Sequence, residues 1–306
     1  MRHRIPLPEE LGRHFTVRQA EAVGVGRGRV AARDLARPFC GVRSTVPAET
    51  PLQRVAALVP RLRRGQLIGG EAALRIWGYP HPGGWSVEAA IVVVVTTGSA
   101  RPRTRGVTGR RLAAGRADPW RVGGIPVIDP VAALFMCAAT LTQDQLVVAV
   151  DALITTASNY PGLSPGRPPI SVDDIEHRLR FWGRFPGSGR VREALLRARE
   201  GVESPKETET RLHIVAEGLP EPAVQYEIRE NGILIARSDL AYPSLRIAIE
   251  YEGDGHRTSR DQWRRDIRRQ RDLEDRGWIV IRVTQLDLDD PQPLMDRIRR
   301  AIASRR

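Results

Sequence analysis

The segment Leu245-Arg-Ile-Ala-Ile-Glu250-Tyr-Glu252-Gly-Asp-Gly-His256 constrains this chain more than any other stretch. Alternate residues of a strand point to the same side. Read as a strand, the segment sets Ile247, Ile249 and Tyr251 on one face and Glu250 and Glu252 on the other. The apolar face is expected to pack under a helix and the acidic face to look outward. Ser238-Asp239-Leu240 comes just before and adds a third carboxylate on the preceding strand. Carboxylates gathered in this way repel one another. A hard divalent cation is the natural compensation for them.

The rest of the chain is strongly basic. Its formal net charge is +12, and Lys206 is the only lysine, so 47 of the 48 basic residues are arginine. That charge points to a polyanionic partner, nucleic acid before an anionic membrane surface. The arginine bias has two readings, a GC-rich genome or a use for the planar guanidinium fork on phosphate. At 41% hydrophobic and 27% charged the composition is that of a globular protein, and 306 residues suggest two or three domains. Cys40 and Cys137 stand far apart with no metal-ligand spacing, which fits a reducing cytoplasm better than a disulfide framework. The first residues lack the apolar run of a signal peptide, and Ala89–Thr96 is too short to span a bilayer. A cytoplasmic protein with no membrane partner is therefore expected.

Residues 1–48 are expected to form a small helical unit. Thr16 can cap a helix over Val17–Val23, a turn follows at Gly24-Val-Gly26, and a second helix runs from about Arg27 to Leu35. Pro38–Val46 supplies a turn and a strand. That order is the one of a winged helix-turn-helix, with Arg27, Arg29 and Arg33 on the second helix. They read equally as solvated surface charges. Gly24-x-Gly26-x-Gly28 is not a dinucleotide loop, because no strand precedes it.

Residues 49–156 read as a mixed α/β region. Helices are expected over Leu52–Leu62, Gly70–Trp77, Val131–Thr140 and Gln143–Ile154, and strands over 87–96 and Val122–Ile128. Between these strands lies an arginine-rich loop or hairpin, Ser99–Gly106. Its arginines either contact phosphate or are simply solvated. Residues 157–200 read as a linker dense in Pro, Gly and Ser, followed by helical pieces at about 171–183 and 188–200.

Residues 201–306 give the order α-β-β-β-α-β-α. A helix spans Pro205–Glu217, strands span Val224–Ile228 and Ile233–Tyr242 around an Asn231-Gly232 turn, and the acidic strand is third. A long basic helix, Asp261–Arg276, then leads into Trp278–Thr284. This last strand is almost wholly apolar and is expected at the centre of the sheet.

The resemblance that these residues carry is to the very-short-patch-repair-like endonuclease domains of the PD-(D/E)xK restriction-endonuclease-like superfamily. Its matching points are Ser204-Pro-Lys-Glu207-Thr, Asp239, Glu250-Tyr-Glu252-Gly, His256, Asp266 and Gly277-Trp278. Upstream, the winged-helix order, Pro38-Phe-Cys-Gly-Val42, Leu74-Arg-Ile-Trp-Gly78 and Gly124–Pro130 resemble an AbiEi-type antitoxin N-terminal region. The fold class implied is an α+β multidomain protein: a winged helix-turn-helix, a mixed α/β middle region and a restriction-endonuclease-like C-terminal domain.

The resemblance implies metal-assisted hydrolysis of DNA phosphodiester bonds, with RNA as a lesser alternative. Mg²⁺ (or Mn²⁺) would be held by Asp239, Glu250 and the Tyr251 carbonyl. Glu207 would serve as a further ligand or a base, and His256 would assist proton transfer. Glu252 stands where the superfamily motif has lysine. Arg260, Arg264, Arg265 and Arg268 on the basic helix would touch the DNA backbone, as would Arg27, Arg29 and Arg33. A homodimer or a protein partner is compatible with this reading. The alternative is a non-catalytic regulator or antitoxin-like DNA-binding protein with a degenerate nuclease fold.

Overall fold

The computed structural model describes residues 6–96, 98–253 and 260–305, without the side chains of 260–267. The chain is a mixed α/β protein that divides into two compact units. The first comprises Met1–Leu141, Leu163–Arg167 and Asp173–Ser188; the second comprises Thr142–Gly162, Pro168–Val172 and Gly189–Arg306.

The first unit opens with β1 (His14–Thr16), α1 (Val17–Ala22), α2 (Arg27–Val30) and β2 (Val42–Ser44), and β1 pairs antiparallel with β2. Thr16 caps α1 through a capping box with Gln19. The second helix is a single turn, shorter than the expected Arg27–Leu35, and Gly28 in its middle lowers its helix propensity. Phe15, Ala20, Val30 and Leu35 form a small core here.

The remainder of this unit contains α3 (Pro51–Leu58), β3 (Leu67–Ile68), α4 (Gly70–Trp77), β4 (Ile91–Thr96), β5 (Val107–Leu112), β6 (Pro119–Val122), β7 (Ile125–Ile128) and α5 (Pro130–Cys137). The strands form one sheet in the order β5-β4-β3-β7-β6. The segment 99–106 is not the turn of a hairpin, because β5 runs parallel to β4. Buried Trp77 of α4 donates from Nε1 to the Ile128 carbonyl at 2.8 Å, which ties the helix to the sheet.

Next in the chain, α6 (Gln143–Ile154) belongs to the second unit, α7 (Val172–Trp182) to the first, and α8 (Ser188–Arg197) to the second. On sequence alone α6 was grouped with the middle region. Its Asp151 joins it to α9 (Pro205–Ala216), accepting from Arg211 Nη2 and Thr208 Oγ1 at 2.9 Å each.

The second unit continues with β8 (Ala223–Glu230), β9 (Ile233–Tyr242), β10 (Ile247–Tyr251), α10 (Arg260–Asp275), β11 (Ile279–Val283), α11 (Gln285–Asp289) and α12 (Gln292–Ala303). Asn231 and Gly232, both at positive φ (50° and 81°), close the β8–β9 hairpin. The sheet order is β11-β10-β9-β8, with β11 parallel to β10. The apolar strand β11 is therefore an edge strand and not the central one. Its hydrophobic content reflects cover from helices and not a neighbour on both sides. Ile247 and Ile249 pack with Leu294, Met295 and Ile298 of α12, and Ala248 packs with Leu273 of α10. Both faces of β10 are thus covered, which overturns the expectation of an outward acidic face: Glu250 is buried beneath α10.

Candidate functional site

The register of the second sheet explains how the polar residues meet. Leu240 pairs with Ile249, so Asp239, one step along, stands level with Glu250, which pairs with Arg282. On the other side, Val224 pairs with Leu240 and Tyr226 with Ser238, which leaves Gln225 opposite Asp239. Gln225, Asp239, Glu250 and Arg282 therefore form one polar row across four strands. Gln225 adopts φ 47°, a left-handed conformation rare for a residue with a side chain, beside the acids.

Helix α10 completes the row. Two residues along a strand and one helical turn each advance about 6 Å. Leu273 packs on Ala248, and so Arg269, four residues earlier, arrives over Glu250, two residues later on β10. Its Nη2 donates to Glu250 Oε2 at 2.7 Å. Glu252, which continues past the end of β10, pairs with Arg282 of β11. Glu252 is thus a carboxylate with its own internal arginine partner.

Glu207 enters from the first turn of α9, where Ser204 caps the helix and accepts from the Glu207 amide at 3.3 Å. Its Oε2 accepts from the Gln225 amide at 2.8 Å and from the Glu203 backbone N–H at 3.0 Å. Asp239 Oδ2 accepts from the Tyr251 N–H at 2.8 Å. Glu203, Glu207, Asp239, Glu250, Glu252 and Arg269 all line one cleft of about 730 Å³.

Electrostatics separates these acids into two groups. Glu250 has Arg269, Glu252 has Arg282, and Glu203 has Arg237 at 2.6 Å. Glu207 and Asp239 form no ion pair among the described residues. Burial, and then the neighbouring Asp239 charge, push the Glu207 carboxyl up to about 7. Burial also raises Asp239, against the opposing effect of the Tyr251 N–H and the Arg269 charge. Lys206, the one lysine, bonds Glu209 at 2.6 Å.

The raised Glu207 carboxyl has a measurable consequence. A carboxyl whose folded pKa lies above its unfolded value stabilises the fold fully below the unfolded value, near 4.5, and that contribution is lost as pH rises through about 7. The metal-free protein is expected to lose about 3 kcal/mol of stability from this group between pH 4.5 and pH 8. Denaturant unfolding of the second unit across that range reads the loss, and Glu207→Gln removes it. An unchanged pH slope in Glu207→Gln contradicts this account.

Among the described residues no three His, Cys, Asp or Glu side chains are arranged as a ready-made metal cage. His256 lies outside the described residues. The structure also leaves undescribed the side chains of Arg260, Arg264 and Arg265, whereas Arg268 is exposed. Arg27 and Arg33 are exposed on the first unit, and Arg29 forms a bidentate bond to Asp34 at 3.0 and 3.1 Å. No helix among the described residues is long and apolar enough to cross a membrane.

Sequence reading missed Gln225 and Arg282, and it counted Arg269 among the basic-helix arginines without placing it on Glu250. Two of them carried a signal: Arg282 is an isolated charge in an apolar strand, and Gln225 interrupts Val224 and Tyr226. Arg269 needed the helix register.

No family model matches the chain. It is 35% identical over 111 residues to uncharacterized protein MT2308 of Mycobacterium tuberculosis strain CDC 1551 / Oshkosh and to uncharacterized protein Rv2248 of strain ATCC 25618 / H37Rv. The match covers 36% of this chain and spans about two fifths (41%) of the length of each relative. A crystal structure of the RV2827C protein from Mycobacterium tuberculosis aligns at a TM-score of 0.40 and 16% identity, over 67% of this chain and 80% of that one.

Proposed function

We propose that the second unit is a metal-dependent endodeoxyribonuclease and that the chain is a DNA-binding protein. One observation carries the reading. Buried Glu207 and half-buried Asp239 share a cleft in which neither forms an ion pair among the described residues, beside a third carboxylate, buried Glu250. Mg²⁺ characteristically uses one or two carboxylates plus waters and substrate oxygens, so this all-oxygen donor set fits it, or Mn²⁺, without a closed cage. Asp239 and Glu250 would hold the ion, with the Tyr251 carbonyl beside them. When bound, the ion activates water and neutralises charge on a phosphate. Glu207, with its carboxyl near 7, is matched to accepting a proton from an attacking water at neutral pH. Arg269 and Arg282 line the same cleft and offer guanidinium forks for phosphate oxygens. His256 keeps the proton-transfer role that the resemblance implies.

A second reading has its own observation. The pairs Glu250–Arg269 and Glu252–Arg282 neutralise two of the acids internally, which suits a non-catalytic DNA-binding regulator. Incubation of the full chain with duplex, single-stranded, mismatched and branched DNA separates the two. Cleavage that needs Mg²⁺ or Mn²⁺ and stops with a chelator supports the nuclease. Binding without cleavage of any substrate rejects it in favour of the regulator.

A further inference from the structure

The arginines of this chain are unevenly committed. In the second unit most described ones are held by carboxylates, as with Arg211, Arg269, Arg282, Arg297 and Arg299. In the first unit a group of them is not. Two adjoining clefts of about 510 Å³ each share Leu62, Arg63 and Gln66. The first adds Arg61, Arg101, Arg103 and Arg111, and the second adds Arg64, Arg121 and Trp120. Among the described residues no Asp or Glu lines either cleft.

Three of these arginines are anchored on backbone carbonyls: Arg61 on Cys40 at 2.7 Å, Arg111 on Ser99 at 3.2 Å and Arg121 on Gly124 at 2.9 Å. The guanidinium groups of Arg63, Arg64, Arg101 and Arg103 have no partner among the described residues, and all four side chains are exposed. Like charges gathered without counter-charge repel one another, and a bound polyanion relieves that repulsion.

The segment that carries Arg101 and Arg103 is held in place. Gln66 Nε2 donates to the Ala100 carbonyl at 3.3 Å. The chain also crosses directly over Gly109 of β5, where an added Cβ would lie 2.9 Å from Arg101 Cβ and 3.1 Å from Pro102 Cδ. Glycine at 109 permits that approach.

Trp120 gives the groove its second property. The indole packs edge-on against buried Trp77 at 5.7 Å, yet the residue keeps 38% exposure. A fixed, partly exposed indole among unpaired guanidinium groups matches the requirements of single-stranded nucleic acid, whose backbone follows positive charge and whose unpaired bases stack on aromatic rings. A duplex offers no free base face to the ring.

We infer that these two clefts form a binding groove for single-stranded nucleic acid, with Arg63, Arg64, Arg101 and Arg103 on the phosphates and Trp120 under a base. The groove is distinct from the arginines of the N-terminal helical unit and from the carboxylate cleft of the second unit.

Binding of labelled oligo-dT and oligo-U to the full chain, measured with a chelator present over a range of salt, tests this apart from any cleavage. The triple variant Arg63→Ala/Arg101→Ala/Arg103→Ala is expected to bind at least tenfold more weakly and to lower the slope of log K against log salt by about 2, at roughly 0.7 per phosphate contact. Triple replacement by lysine should restore the slope. Trp120→Ala should weaken single-strand binding about tenfold and leave duplex binding unchanged. Wild-type affinity and slope in the alanine triple variant, with the fold confirmed by circular dichroism, overturn the groove. Equal loss of single-strand and duplex affinity in Trp120→Ala overturns the single-strand assignment. Binding read with the metal chelated does not depend on cleavage, so failure of the nuclease reading leaves this one standing.

Discussion

Asp239→Asn is expected to lower the proposed metal-dependent DNA cleavage on the order of 10³-fold while leaving DNA affinity at the wild-type level. The substitution is nearly isosteric. An asparagine Oδ1 can still accept the Tyr251 N–H, which Asp239 takes at 2.8 Å, so the β9–β10 contact survives. What disappears is one of the two carboxylates in the cleft that form no ion pair among the described residues. Removing it should also relieve the neighbouring Glu207, whose carboxyl is raised partly by Asp239. The metal-free variant is therefore expected to be as stable as wild type or more so at pH 8, and to gain less stability on addition of Mg²⁺. Gel-based cleavage, chelator-controlled binding and thermal unfolding together read these outcomes. Retained cleavage in a folded Asp239→Asn variant removes this residue from the proposed mechanism.

Arg211→Ala is expected to destabilise the second unit by about 3–5 kcal/mol, a far larger effect than loss of an exposed pair such as Arg229–Glu227. Arg211 is 1% exposed and Asp151 fully buried. The guanidinium donates to Asp151 Oδ2 at 2.9 Å, to Glu221 Oε1 at 2.8 Å and to the Arg197 carbonyl at 2.9 Å. Truncation leaves the Asp151 carboxylate inside the protein without its cation. Thr208 and the Arg199 N–H still donate to it, at 2.9 and 2.8 Å, but two neutral donors do not replace a charge. The double variant Asp151→Asn/Arg211→Met removes both charges and should recover much of the loss, since a buried ion pair is worth little over an apolar replacement. Denaturant midpoints of the second unit measure both. A double variant no more stable than Arg211→Ala would show that packing, and not the stranded charge, sets the loss.

Much of the second unit was legible in its residues because its signals are local. Ser204 before Glu207, Asn231-Gly232 between two apolar runs and the alternation of Ile247, Ile249 and Tyr251 each specify their own element. The structure places α9, β9 and α10 within a residue or two of the expected spans. The acids Glu207, Asp239, Glu250 and Glu252 do line one cleft. In the first unit β5 escaped notice, and α2 is shorter than its expected span. Val107–Leu112 has only a weak strand pattern and owes its state to β4 beside it, and glycines at 24, 26 and 28 leave the length of α2 to tertiary contacts.

The sequence by itself determined which residues alternate, where the turns fall and which acids share a parity on their strands. These follow from backbone geometry over a few residues. Only the tertiary structure decided that Glu250 is buried beneath α10, that Arg269 and Arg282 pair with two of the acids, and that Glu207 and Asp239 form no ion pair among the described residues. Those outcomes depend on strand order, on the register of β10 against β9 and β11, and on which turn of a helix lies over which residue. Partners separated by up to 30 residues in the chain are chosen by packing, and charge compensation follows from that choice.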